Sequence, residues 1–203
     1  YKLVSGNVMV TARLRASGKQ TDTPTSVDSL AGLMARSPDN GSWQTGHENW
    51  VLVDAGHGSS ASPLPQIETK TTVNSASELQ LQPSVADWVY LRLVRVGPVV
   101  ALLSHAEGMP WQLNACYMRP DLPAELQVGV NAFTDWQSIP DALVSNTLAY
   151  HQTALRGADY HPDLIARFDY VRFQRPPVPA AAIHALAAHR IGLGAGLASV
   201  MRP

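Results

Sequence analysis

"DWVYLRLVRVGPVVALLSHAEGMPWQL" (residues 87–113) holds two extended segments, Trp88–Val96 and Val99–His105, joined around Gly97-Pro98. Successive side chains of a strand point to opposite faces. Leu91 and Leu93 therefore go inward, while Arg92 shares the outer face with Trp88 and Tyr90. An Arg between two aromatics on one strand face can stack on both. The plain reading of that face is a packed, stiffened sheet surface; the functional readings are contact with a ligand or with a protein. Glu107-Gly108 marks a second turn, which leads into Trp111.

The same period of two recurs on both sides. In "NVMVTARLR", Val8, Val10, Ala12 and Leu14 point one way and Met9, Thr11 and Arg13 the other. "SLAGLMAR" (29–36) and "WVLVDAG" (50–56) read as short buried strands. "QIETKTTV" sets Ile67, Thr69, Thr71 and Val73 against Glu68 and Lys70, and "AELQVGVNAF" gives Leu126, Val128, Val130 and Ala132 one face. "IARFDYVRFQ" (165–174) is rich in aromatic and β-branched residues. Roughly nine or ten strands parted by Pro, Gly, Asn, Asp and Ser argue for an antiparallel sandwich or barrel.

Two regions depart from this pattern. "PDALVSNTLAYHQTALRGADYHP" (140–162) fits one helix, with Asp141 as N-cap and Gly157 near its end. After the stiff exit "RPPVP", residues 180–190 have helical composition and 191–201 carry no charge. The reading is a sandwich over residues 1–175, with an insertion at 137–163. A Pro-rich linker and apolar docking tail follow at 176–203.

Composition narrows the function classes. The chain has 203 residues, 45% of them hydrophobic and 15% charged, with a formal net charge of −1. That is enough apolar material for one core, and it lacks the basic surface that holds nucleic acid. No apolar run approaches the ~20 residues of a membrane-spanning helix. Cys116 is the sole cysteine, which excludes an internal disulfide and a Cys-based zinc site. It reads as a small buried hydrophobe. The chain opens at Tyr1 inside an apparent strand, so a missing or trimmed first strand and an exported, periplasmic or extracellular location are expected.

Residues Trp88, Leu91, Arg92, Leu93, Arg95, Gly97, Ser104, Gly108 and Trp111 resemble a bacterial and fungal domain family of the concanavalin A-like lectin/glucanase superfamily. That family shows a Trp-x-x-Leu-Arg-Leu-x-Arg-x-Gly strand, a hairpin, then a Ser-x-x-Gly-x-x-Trp-like strand. "YKLVSGNVMVTARL", "AGLMAR", "LQVGVNA" and "ARFDYVRF" resemble further strands of it, in order. The likeness covers about residues 1–136 and 164–174; the 137–163 insertion and the tail depart from it. It implies an all-β, two-sheet antiparallel jelly roll with one concave and one convex sheet. It also implies a structural calcium ion on an Asp of the last strand, and Asp169 is the matching position.

The chemistry of the superfamily's hydrolases is not legible. Its retaining glucanases need two carboxylates about 5–5.5 Å apart, carried as Glu-x-Asp-x-x-Glu on one strand face. Here Glu48, Glu68, Glu78, Glu107 and Glu125 are isolated, and Asp54 has no acidic neighbour at two- or three-residue spacing. Glu68 and Lys70 read as a surface ion pair. Ser104 and His105 are adjacent and so face opposite ways. The four polar residues of "GHENWVLVDAGHG" (46–58) are split by a strand, which leaves a core strand with polar loops at its ends.

The expectation is therefore a non-catalytic binding or scaffolding module without a cofactor beyond that calcium; the alternative is a divergent glycoside hydrolase. As a lectin-like domain it would present Trp43, His47, Trp50, Trp88, Tyr90, Arg92 and Trp136 to sugars. As an accessory subunit it would dock a protein partner through the insertion and through Ile183, Leu186, Ile191, Leu193 and Leu197. Tryptophans on an exposed sheet face favour the sugar reader, and tryptophans between the sheets favour the scaffold.

Overall fold

The computed structural model describes residues 1–39, 46–61, 65–134 and 162–177. Among them run eleven strands: β1 Lys2–Ser5, β2 Val8–Ser17, β3 Ser29–Arg36, β4 Trp50–His57, β5 Gln66–Val73, β6 Ala76–Pro83, β7 Val89–Val96, β8 Val99–Ala106, β9 Gln112–Met118, β10 Glu125–Phe133 and β11 Ile165–Gln174. They form two antiparallel sheets. The six-stranded sheet has the order β1-β10-β3-β4-β5-β6, the five-stranded one β11-β2-β7-β8-β9. The all-β, two-sheet architecture is thus as expected. The helix expected in 140–162 lies, but for its last residue, outside the described residues, as does the tail beyond 177.

Alternation builds the core. Val10, Leu14, Leu91, Leu93 and Leu102 from one sheet meet Leu33, Val51, Val53, Leu126 and Val128 from the other, all at or near zero exposure. Each such Leu contributes roughly 1.5–3 kcal/mol of transfer free energy. The hairpin at Gly97-Pro98 pairs Val96 with Val99. Gly97 sits at φ +57°, a conformation costly for a residue with a Cβ.

Two strand readings change. Val130 is half exposed, at 50%, and Ala132 is exposed, because that end of β10 runs past the core. Strand β6, ASELQLQP, is exposed along most of its length, so its side chains carry little of the apolar alternation that marks the others. Its register on β5 runs unbroken from Val73 opposite Ala76 to Gln66 opposite Pro83.

The outer face of the five-stranded sheet carries a second apolar cluster: Met9, Val94, Val96, Val99, Ala101 and Leu103, with Trp111 and Cys116 packed against it. Burial pushes the Cys116 thiol up, as expected of a cysteine acting as a small hydrophobe.

Candidate functional site

The register that closes the five-stranded sheet assembles the candidate site on its outer face. Tyr90 of β7 lies opposite Arg13 of β2 and His105 of β8, and Arg92 lies opposite Thr11 and Leu103. The rings of Tyr90 and His105 stack at 4.1 Å, and His105 meets Trp111 edge-on at 4.4 Å. The Arg92 guanidinium lies 4.0 Å from the Trp111 ring centre and donates from Nε to Thr11 Oγ1 at 3.0 Å. Burial lowers the Arg92 pKa from its ordinary value.

The cation between Trp88 and Tyr90 is therefore not Arg92. Arg13, from the neighbouring strand, sits 4.5 Å from the Trp88 ring and 5.7 Å from Tyr90. It is held by Asp169 at 3.1 Å, while Tyr90 donates its hydroxyl to Glu107 at 2.8 Å. Neighbours two apart on one strand are about twice the strand rise apart, roughly 7 Å, so a cross-strand residue fills the gap between Trp88 and Tyr90. Trp88, Arg13, Tyr90, His105, Trp111 and Arg92 thus form one continuous aromatic–cation track.

A cavity opens at each end of the track, both at the same end of the sheet. One, of about 550 Å³, is lined by His105, Trp111 and Gln112 with the apolar Ile67, Val85, Val89 and Met109. The other, of about 410 Å³, is polar and lies between Trp88, the end of β2, the following loop and Arg167 of β11. Trp88 and Trp111 are both half-buried. Trp111 is one of the tryptophans the sequence offers to a sugar, whereas His105, Arg13 and Arg167 do not stand out as site residues within a single strand. The cue was the opposition of His105 and Tyr90 across a hairpin whose register the Gly97-Pro98 turn sets.

The remaining candidates lie elsewhere. Trp50 is on the outer face of the six-stranded sheet with Lys70 Nζ 5.6 Å from its ring. His47 lines a separate cavity of about 220 Å³ with Arg36, Asp39 and Glu48. Trp43, Trp136 and Ile183, Leu186, Ile191, Leu193 and Leu197 fall outside the described residues. Asp169 holds Arg13, and among the described residues no three of His, Cys, Asp and Glu come together.

One carboxylate pair escaped single-strand reading. On the outer face of the six-stranded sheet Asp54 is the direct cross-strand neighbour of Glu68, and Gly32 and Asn131 continue the row. Asp54 is fully buried and Glu68 is 3% exposed, so Glu68 is no surface ion-pair partner for Lys70. Asp54 Oδ2 accepts from Asn131 Nδ2 at 2.7 Å, while Oδ1 is buried without a partner. A Cβ on Gly32 would run into Val53 O and the Asp54 carboxylate, so only glycine lets Asp54 lie across it. Burial raises the Asp54 pKa well above the ordinary range; the Asn131 bond and the Lys70 charge oppose this and the Glu68 charge adds to it. Burial raises Glu68 as well, against the pull of Lys70.

No protein-family model and no curated protein matches the chain. Solved structures do. A functionally unknown protein from Saccharomyces cerevisiae aligns with TM-score 0.55 and 14% identity, over 86% of this chain and 72% of that one. The GH43 protein BlXynB from Bacillus licheniformis aligns with TM-score 0.52 and 13% identity over 82% of this chain, which spans only 27% of that protein. Basic winged bean lectin with Tn-antigen aligns with TM-score 0.49 and 10% identity over 86% of this chain and 78% of that one. With its paired antiparallel sheets, the chain shares the all-β, two-sheet fold of the first two of these structures.

Proposed function

We propose that the chain is a non-catalytic carbohydrate-binding module that reads a glycan along the outer face of its five-stranded sheet. The observation that carries this reading is the aromatic–cation track with an open cavity at either end. Aromatic faces suit sugar rings, and the surrounding Arg, Gln and His groups suit hydroxyls. The track runs from β2 over β7 and β8 to the residue before β9, about 14 Å at the usual strand spacing, which suits a chain of several rings over a single sugar. The tryptophans described lie on outer faces and not between the sheets. That arrangement favours the sugar reader over the scaffold, whose docking elements all lie outside the described residues.

The test is binding of soluble polysaccharides by affinity electrophoresis and calorimetry. Trp111→Ala should weaken binding about tenfold or more, the usual weight of a central aromatic anchor. Circular dichroism of the variant separates lost binding from lost folding. Unchanged affinity in a folded Trp111→Ala protein would overturn the assignment of the face.

The Asp54–Glu68 pair favours a second reading, a divergent glycoside hydrolase. Cβ atoms directly opposed across strands are about 4.5–5.5 Å apart, close to the separation retaining enzymes use. Both groups are buried and both are pushed toward the protonated form, which suits a structural proton better than a nucleophile. Hydrolysis of a β-glucan that Glu68→Gln abolishes would establish the enzyme.

A further inference from the structure

The cavity beside Trp88 differs chemically from its partner at the other end of the track. It is walled by Arg15 and Ser17 at the end of β2, by Lys19 and Asp22 of the next loop, by Trp88 and by Arg167. Three cations thus face one carboxylate. Asp22 is 79% exposed and bound to Arg15 Nη2 at 2.6 Å, an ion pair that solvent competes for. Arg167 donates Nη1 to Ser17 Oγ at 3.0 Å, which orients its guanidinium along the wall without neutralising it. Asp163, beside the same loop, accepts from the Lys19 and Thr25 backbone N–H groups and from the Thr25 hydroxyl. Burial works against the Asp163 charge, but those bonds and the charge of Lys19 prevail and hold its pKa low. Asp163 thus partly answers Lys19, and the two arginines are the cations that remain for a ligand. Asp169 is committed to Arg13.

We infer that this cavity is an anionic-sugar subsite: it takes the carboxylate of a uronic acid residue, with the sugar ring set near Trp88. This rests on the carbohydrate-binding reading and names its ligand class. A planar guanidinium matches a carboxylate through two parallel N–H donors. Arg15 and Arg167 are direct cross-strand neighbours on β2 and β11, so their side chains leave the same sheet face side by side. A neutral sugar would leave this excess of positive charge uncompensated, and the cavity at the Trp111 end, with its mainly apolar wall, provides no such field. The polymer therefore binds with an acidic residue at the Trp88 end.

The experiment compares polymers that differ in charge but share a backbone: polygalacturonate against fully methyl-esterified polygalacturonate, with alginate and hydroxyethylcellulose alongside. Polygalacturonate or alginate should bind about tenfold or more tighter than the neutral polymers, the weight of a charge-assisted bond. Added salt should narrow that gap. Arg15→Gln with Arg167→Gln should erase the preference while leaving residual binding, whereas Trp111→Ala should weaken acidic and neutral polymers alike. Equal binding of the esterified and free polymers, lost in Trp111→Ala, would overturn the anionic subsite and leave the carbohydrate reading standing. A folded protein that binds none of the four polymers overturns both.

Discussion

Asp54 shows how much a single buried group can impose on a sheet. Its cross-strand neighbours are Gly32 and Glu68, and its one bonded partner is Asn131. A carboxyl taken out of water keeps its proton when burial outweighs its bonds and nearby cations, as it does here against Asn131 and Lys70. The folded pKa lies above the ordinary 3.8, so the folded state binds the proton more tightly than the unfolded chain does. The stability this gives is complete below the unfolded pKa and is lost as pH rises through the folded one. Asp121 has the opposite sign. The buried Arg119 guanidinium donates to both its oxygens, at 2.9 and 2.6 Å, and holds its pKa down. Its contribution is present above the unfolded pKa and disappears as acid is added. The two groups therefore tilt the stability curve in different pH ranges. Asp54→Asn preserves shape and cannot ionise. It should raise the urea midpoint at about pH 8 and leave it nearly unchanged at about pH 4. An Asp54→Asn protein that is less stable than the parent by the same amount at both pH values would show that the carboxyl is held as a charge.

At the scale of the element, the β7–β8 hairpin organises both faces of its sheet. Its inward row, Val89, Leu91, Leu93, Val100 and Leu102, belongs to the main core, and its outward row carries the candidate site. Leu93 is fully buried in the middle of β7, opposite Val10 and Leu102. Leu93→Ala should cost about 2–5 kcal/mol, the range for a leucine removed from a packed core. Chemical denaturation measures it, and a loss under about 0.5 kcal/mol would mean that β7 can repack around the gap. The same hairpin shows what was legible beforehand. Its alternation and its Gly-Pro turn placed the strands to within a residue and set the inward face correctly. They were silent on which residue of another strand would stand beside each outward side chain. Arg13 displacing Arg92 between Trp88 and Tyr90 is such a case, and Asp54 opposite Glu68 is another. Pairings of this kind depend on register between segments far apart in sequence, which period-two patterns within one segment do not contain. Strand β6 escaped for a different reason: most of its side chains face solvent, so no buried stripe marked it.

For the whole molecule the chain ends matter as much as its centre. Strand β1 closes the six-stranded sheet against β10, and β11 returns from the far end of the chain to lie along the whole of β2. The β11 seam is fastened at both ends. Asp163 accepts from Lys19 and Thr25 just before it, and Arg175 donates to the Ser5 and Asn7 carbonyls just after it. Between these points Phe168, Val171 and Phe173 pack against the main core. Without β11, the long strand β2 becomes an edge. Its Val10, Ala12 and Leu14 would lose cover on one side, and its row of backbone N–H and C=O groups would be left unpaired, a template for association. Such distant pairing also makes closure a late, entropically costly step in folding. A chain ending at residue 161 should therefore show no cooperative thermal transition by circular dichroism and should elute as aggregate in size exclusion. Adding a synthetic peptide of residues 162–177 should restore both, by strand addition along β2. A truncated chain that melts cooperatively as a monomer would show instead that the four remaining strands of that sheet suffice, and that β11 serves the Arg167 wall of the sugar site more than the fold.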